Sequence, residues 1–209
     1  MWSLDEYTAA DQARSIANQY LYRDAFSLDT VYDQTVIDYL LILLAQQIGS
    51  DVSYSELATR LEVSKDTVMR YIDLLEKAFI IFRQHQYRKN QRVQVGRLRK
   101  VYFYDLGMRN ALIDNFSPLE VRQDVGALWE NFCVLERMKR NQRDRIYARH
   151  YYWRSRDKQE IDLIEEVGQQ TAAYEFKWSK QPNFPRGFDV AYPEVPKLGI
   201  AKDNYWDFM

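Results

Sequence analysis

Two short runs near the C-terminus constrain the fold most: Glu160-Ile161-Asp162-Leu163-Ile164 and Tyr174-Glu175-Phe176-Lys177-Trp178. Each alternates apolar and charged residues with the period of two that marks a β-strand, whose successive side chains point to opposite faces. On the first, Ile161 and Leu163 are expected on one face and Glu160 and Asp162 on the other. On the second, Tyr174, Phe176 and Trp178 point one way, and Ala173, Glu175 and Lys177 the other. Glu166-Val167-Gly168-Gln169 reads as a hairpin turn between them. Carboxylates on two adjacent strands therefore lie near a lysine two residues beyond one of them. Clustered carboxylates suit a hard divalent cation, and a nearby lysine can orient a water or steady a developing negative charge. Metal-assisted phosphodiester hydrolysis uses this set of groups.

The 209 residues leave room for two small domains. With 46% hydrophobic and 28% charged residues, and only 7 Gly and 5 Pro, the composition is globular rather than disordered. The net charge of −1 points to no partner. The single cysteine, Cys133, excludes an internal disulfide framework and a cysteine-built zinc site, and fits a reducing cytoplasm. No signal peptide or membrane-spanning run is expected, since the longest apolar run, Tyr39 to Ala45, falls far short of the roughly 20 residues a span needs.

Residues 5–48 read as helical. The run Val36 to Ala45 is apolar nearly all round and is expected to be a buried helix, with Gly49 as its C-cap. Ser53, with Glu56 three residues on, makes a capping box for a short helix that buries Leu57, Ala58 and Leu61. Glu62-Val63 turns the chain around a buried Val. Ser64 caps a second helix with Val68, Tyr71, Ile72, Leu74 and Leu75 on its apolar positions. The pattern is a helix-turn-helix. A strand over Ala78–Phe82 and the basic stretch to Val95 are expected to add a hairpin wing, giving a winged helix at about 45–95. Candidate nucleic-acid contacts are Lys65, Arg70, Arg88, Lys89 and Arg92, cations of the kind that bind phosphates without reading sequence. Asp66, Asp73 and Glu76 keep the second helix near neutral, a feature that also fits a protein-docking module.

Lys100 to Asp105 reads as a strand and Met108 to Ile113 as a short helix. Asp124 to Arg140 is expected to be a helix with the apolar stripe Val125, Leu128, Trp129, Phe132 and Leu135. Arg145–Trp153, Glu160–Glu165, Gln170–Trp178 and Leu198–Ala201 are expected strands. The proline-bearing stretch 182–196 reads as loop with room for a short helix. The domain boundary is placed at 98/99, with 1–98 the helical region and 99–209 the second domain. The loop Asn115 to Asp124 is the other candidate boundary. His85 and His150 lie far apart, so a histidine-based hydrolytic site has little support. The basic cluster Lys139, Arg140, Arg143, Arg145, Arg149, Arg154 and Arg156 is equally a flank for nucleic acid or an ordinary charged surface.

A helix with Glu130, then strands carrying Asp162 and Glu175-Phe176-Lys177, resembles the PD-(D/E)XK nuclease superfamily, the restriction-endonuclease-like fold. Over nearly its whole length the chain is similar to the C-terminal region of a prokaryotic AAA-type P-loop ATPase family. There a winged helix precedes a nuclease-like domain of unknown function. The likeness also rests on Thr67-Val68 with Tyr71-Ile72, on Val101 to Gly107, on Leu128 to Phe132 and on Tyr152-Trp153-Arg154. It implies an α/β (α+β) chain: a helical winged-helix domain, then a mixed central sheet flanked by helices. Asp162 and Glu175 would hold Mg²⁺ or Mn²⁺, with the Phe176 carbonyl a candidate third ligand. Lys177 would orient the attacking water or stabilise the phosphorane-like charge. Glu130 would reach the site from its helix. The sequence departs in one respect: no Gly-x-x-x-x-Gly-Lys-Ser/Thr occurs, so ATP hydrolysis is not assigned to these residues.

The expected function is a nucleic-acid-binding protein with a Mg-dependent nuclease-like domain, with DNA as the partner. The alternative is a non-catalytic DNA- or protein-binding regulatory or assembly domain of an AAA-type ATPase. A stand-alone transcription regulator ranks last, because it leaves the C-terminal half unexplained.

Overall fold

The computed structural model describes residues 11, 12, 15, 33–88, 99–179 and 182–209. The chain divides into two compact units, residues 1–83 with 101–122 and residues 84–100 with 123–209. The single division expected at 98/99 becomes three crossings, at 83/84, 100/101 and 122/123. The reason is that strands β2 (Ile81–Gln86) and β3 (Arg99–Phe103) each begin in one unit and end in the other. Helices together with parallel and antiparallel strand pairs make the fold mixed α/β, as the sequence led one to expect.

In the first unit, helix α1 spans Gln34–Gln46 and is capped by Asp33, whose Oδ1 accepts from the amides of Thr35 and Val36. Ile37, Leu40, Leu41, Leu44 and Ala45 are buried, while Tyr39 is exposed, so the helix has one wet face rather than none. It ends before Gly49, whose φ of +71° closes the following turn. After the two-residue strand β1 (Asp51–Val52) come α2 (Tyr54–Arg60) and α3 (Lys65–Lys77). Ser53 and Ser64 cap them by accepting from the amides of Glu56 and Thr67. Leu57 and Ala58 of α2 pack with Val68, Tyr71, Ile72 and Leu75 of α3 in the core. Val63, between the helices, is half-buried rather than buried.

The strand expected over Ala78–Phe82 starts three residues later. Phe79 sits at φ +55° in the turn that ends α3, where its amide donates to the Glu76 carbonyl, so residues 78–80 cannot extend. Strands β1, β3 and β2 are neighbours in that order. Of the wing expected to run to Val95, residues up to Arg88 are described and carry β2, while 89–95, with Lys89 and Arg92, lie outside the described residues. Helix α4 (Leu106–Leu112), capped by Asp105, completes this unit and buries Arg109, whose Nε donates to the Ala45 carbonyl.

The second unit is built on strands β4 (Ala148–Arg154), β5 (Glu160–Val167), β6 (Gln170–Phe176) and β7 (Lys197–Ile200), with the end of β2 beside β4. The β4–β5 and β5–β6 pairs are antiparallel, and β2–β4 and β6–β7 are parallel. Gly168 at φ +61° makes the two-residue turn between β5 and β6. The 19-residue helix α5 (Val125–Arg143) buries Leu128, Trp129, Cys133, Val134 and Leu135. Short helix α6 (Arg186–Ala191) brings Phe188 to Trp153, ring centroids 5.2 Å apart, in a cluster with Tyr151, Ile161, Ile164 and Ala173. Among the described residues no helix is long and apolar enough to cross a membrane.

Candidate functional site

The site forms where β5 and β6 stop pairing normally. Their register runs from Val167↔Gln170 to Leu163↔Tyr174. At the next step the Phe176 amide donates to the Asp162 Oδ2 carboxylate at 2.8 Å. The Lys177 amide then donates to the Ile200 carbonyl on β7.

On its other edge β5 bulges. Tyr151 pairs with Ile164 and Trp153 with Ile161, so Asp162 and Leu163 occupy the span that Tyr152 fills alone on β4. An extra residue of this kind re-aims side chains next to functional sites. It also breaks strict alternation. Ile161 packs with Ile164 in the Phe188 cluster, while Leu163 lies opposite Tyr174. The expected pairing of Ile161 with Leu163 on one face is therefore corrected, and the inserted residue is the reason.

Three of the expected site residues converge here. Lys177 Nζ donates to Glu175 Oε1 at 2.7 Å and lies 3.9 Å from Asp162 Oδ2. Asp162 and Glu175 are buried, at 5% and 6% exposure, whereas the Lys177 side chain is half exposed. Glu175 Oε2 is buried with no hydrogen-bond partner. Burial pushes the Asp162 carboxyl well above the usual carboxylate range. The like charge of Glu130 adds to this, and Lys100 opposes it. Glu175 is raised too, mainly by burial. The same carboxylates hold the Lys177 ammonium above its usual value against burial.

Glu130, on α5, reaches the group through Lys100, which the sequence placed only at the start of a strand. Lys100 Nζ donates to Glu130 Oε1 at 2.7 Å and lies 3.6 Å from Glu160 Oε1 and 3.9 Å from Asp162 Oδ1. Its side chain is 1% exposed. A lysine inside a β-rich apolar run, Lys100-Val101-Tyr102-Phe103, was the available signal that this charge is buried and paired. Glu160, expected on the same strand face as Asp162, is held by Lys100 and by Arg154 at 3.6 Å. Phe176 gives the site its amide, and its ring packs on Phe208 at 5.5 Å.

Among the described residues no three His, Cys, Asp or Glu side chains are disposed to share one metal ion. Asp162 and Glu175 offer two carboxylates, one with a buried unpartnered oxygen, and a Mg²⁺ ion is ordinarily held by one or two carboxylates with waters completing its shell. The donor set fits such an ion.

A second buried acid lies three residues along β5. Glu165 accepts from Arg137 Nη2 at 2.6 Å and Nε at 2.9 Å, from Asn141 at 2.6 Å, and contacts His150 Nε2 at 3.2 Å. Burial pushes its pKa up, but the bonds from His150, Arg137 and Asn141 prevail and take it down to about 2. Cys133 is fully buried, and burial pushes its thiol up, away from reactivity. Most of the basic cluster is engaged by the fold: Lys139 with Glu136, Arg140 with Asp144 and the Phe208 carbonyl, Arg143 with Asp144, and Arg149 with Glu166.

In the first unit, Lys65 and Arg70 are exposed on α3, with the Arg70 guanidinium 5.5 Å from the Tyr71 ring. Arg83 binds both Asp73, at 2.7 Å, and Glu76, which takes two acids of α3 into a local cluster. Arg88, in the second unit, donates to Gln86 Oε1 at 3.3 Å.

The chain belongs to the family described as Domain of unknown function (DUF8612), which matches residues 2–119. Residues 125–204 match a second family, Domain of unknown function (DUF4143). Uncharacterized proteins of Mycobacterium bovis and Mycobacterium tuberculosis are each 30% identical over 186 residues, covering 87% of this chain and 41% of theirs. An uncharacterized protein of Methanocaldococcus jannaschii is 28% identical over 135 residues, 60% of this chain and 28% of its own. The chain thus spans about two fifths of the length of its mycobacterial relatives. No solved structure matches it.

Proposed function

We propose that the second unit is a nuclease-like domain that hydrolyses nucleic-acid phosphodiesters with a divalent cation, and that the first unit is a winged-helix module docking on DNA. The supporting observation is the buried pair Asp162 and Glu175, with Glu175 Oε2 unpartnered and Lys177 2.7 Å from Oε1. Both carboxylates lie above their usual pKa, so a cation would relieve a like-charge contact at this point. Asp162 and Glu175 would hold Mg²⁺ or Mn²⁺, with the Phe176 carbonyl a candidate third ligand. Bound there, the ion would supply Lewis acidity and a more acidic water.

Lys177 keeps a half-exposed ammonium beside both ligands. That position suits orienting a water and meeting the charge that develops on the phosphoryl oxygens. Lys65 and Arg70 on the exposed face of α3 are the proposed phosphate contacts of the first unit, and Arg88, Lys89 and Arg92 are proposed as phosphate contacts of the second. The test is nicking of plasmid DNA with Mg²⁺ or Mn²⁺. Wild type should nick, chelation should stop it, and Asp162→Ala should be inactive while still folded. Nicking that survives both treatments contradicts the proposal.

A second reading has its own support. Two lysines already neutralise part of this cluster, and Asp73 and Glu76 offset the charge of α3. Residues 125–204 match a family found in AAA-ATPase-associated proteins. A non-catalytic regulatory or assembly domain of such an ATPase would bind its partner with little salt dependence and would not bind duplex DNA.

A further inference from the structure

We propose that Lys100 is a resident counter-cation of the carboxylate cluster, and that a divalent ion at Asp162 and Glu175 binds against its charge. This rests on the reading of those two carboxylates as cation ligands. The two lysines of the site differ in kind. Lys177 ends in a half-exposed ammonium and can swing away on its own stem. Lys100 cannot, because its side chain is 1% exposed and its ammonium lies 5.5 Å from the Tyr152 ring centre.

A buried ammonium is tolerated only where opposite charges repay its lost hydration. Lys100 meets three of them, on Glu130, Glu160 and Asp162, at 2.7, 3.6 and 3.9 Å. Its closest partner is Glu130 on α5, so it draws the Glu130 and Glu160 carboxylates to itself. The orphaned oxygen on Glu175 is left for a different cation. Lys100 thus does two things in one place. It keeps the cluster folded when no ion is present, and it sets how weakly an ion binds.

A fixed unit charge within a few ångströms of a divalent ion is worth about tenfold or more in affinity even at high effective dielectric. Mn²⁺ titration by calorimetry would compare wild type, Lys100→Met, Glu130→Gln, the double variant Lys100→Met with Glu130→Gln, and Asp162→Asn. The double variant removes the ammonium together with its closest partner and so avoids stranding a buried carboxylate. Its reference is Glu130→Gln, because losing the Glu130 charge itself weakens cation binding. Lys100→Met is expected to bind Mn²⁺ about tenfold or more tightly than wild type, the double variant about tenfold or more tightly than Glu130→Gln, and Asp162→Asn not to bind it. If Lys100→Met alone unfolds, the comparison of the double variant with Glu130→Gln decides. Wild-type binding with no gain in affinity when Lys100 is removed overturns the counter-cation role and leaves the cation site standing. Absence of Mn²⁺ binding in every protein overturns both.

Discussion

Asp162 and Glu165 stand three residues apart on one strand, both are about 95% buried, and their surroundings drive them in opposite directions. Glu165 has donors on both oxygens from Arg137 and a further one from Asn141, with His150 Nε2 at 3.2 Å, and its proton is held off down to about pH 2. Asp162 faces two lysines at 3.9 Å and the like charges of Glu130 and Glu175, and burial with those like charges pushes its carboxyl above the usual carboxylate range. Burial alone does not decide what a carboxylate is for; the completeness of its donor set does. Glu165 is a brace between α5 and the sheet, and Arg137 extends it to the Phe208 carbonyl near the C-terminus. The Asp162 cluster instead leaves Glu175 Oε2 buried without a hydrogen-bond partner, the observation on which the proposed cation site rests.

Breaking the complete cluster should cost most. Glu165→Ala leaves the Arg137 guanidinium, 14% exposed, without its carboxylate. A loss of about 3–5 kcal/mol is expected in denaturant unfolding. Asp162→Asn, by contrast, removes an ionisation that the fold disfavours and can keep the acceptor for the Phe176 amide. Its stability should equal or exceed that of wild type, while stabilisation by divalent cation, about 2.7 kcal/mol for wild type at one hundred times Kd, should vanish.

Titration sharpens the contrast because the signs differ. Glu165 is held below its ordinary 4.5, so its contribution is full above that pH and is lost as pH falls toward 2. It amounts to on the order of 3 kcal/mol. Asp162 is raised above its ordinary 3.8, so ionising it costs the folded state as pH rises past that value. Thermal unfolding should therefore show wild type gaining on Asp162→Asn as pH falls toward that ordinary value. The smallest effect is expected at the turn that joins the strands. Gly168→Ala meets no atom within 4 Å but must take φ +61°, at a cost of about 1 kcal/mol.

The alternation of β5 and β6 was enough to bring Asp162, Glu175 and Lys177 together from sequence, since side-chain period and a Gly turn fix which residues meet. The bulge opposite Tyr152 was not legible, because a bulge depends on how the partner strand pairs rather than on local pattern. Lys100 was missed for a related reason. It lies 62 positions before Asp162 in the chain, and only the start of β3 carries it to the cluster. The start of β2 was misplaced because Phe79, a strong strand former, sits in a left-handed turn.

The most direct measurement is calorimetric titration of Mg²⁺ into wild type, Asp162→Ala and Glu175→Gln. One equivalent bound by wild type and none by either variant, with all three folded, is the predicted result. Equal binding by all three, or none by wild type, would contradict the claim that Asp162 and Glu175 form a cation site.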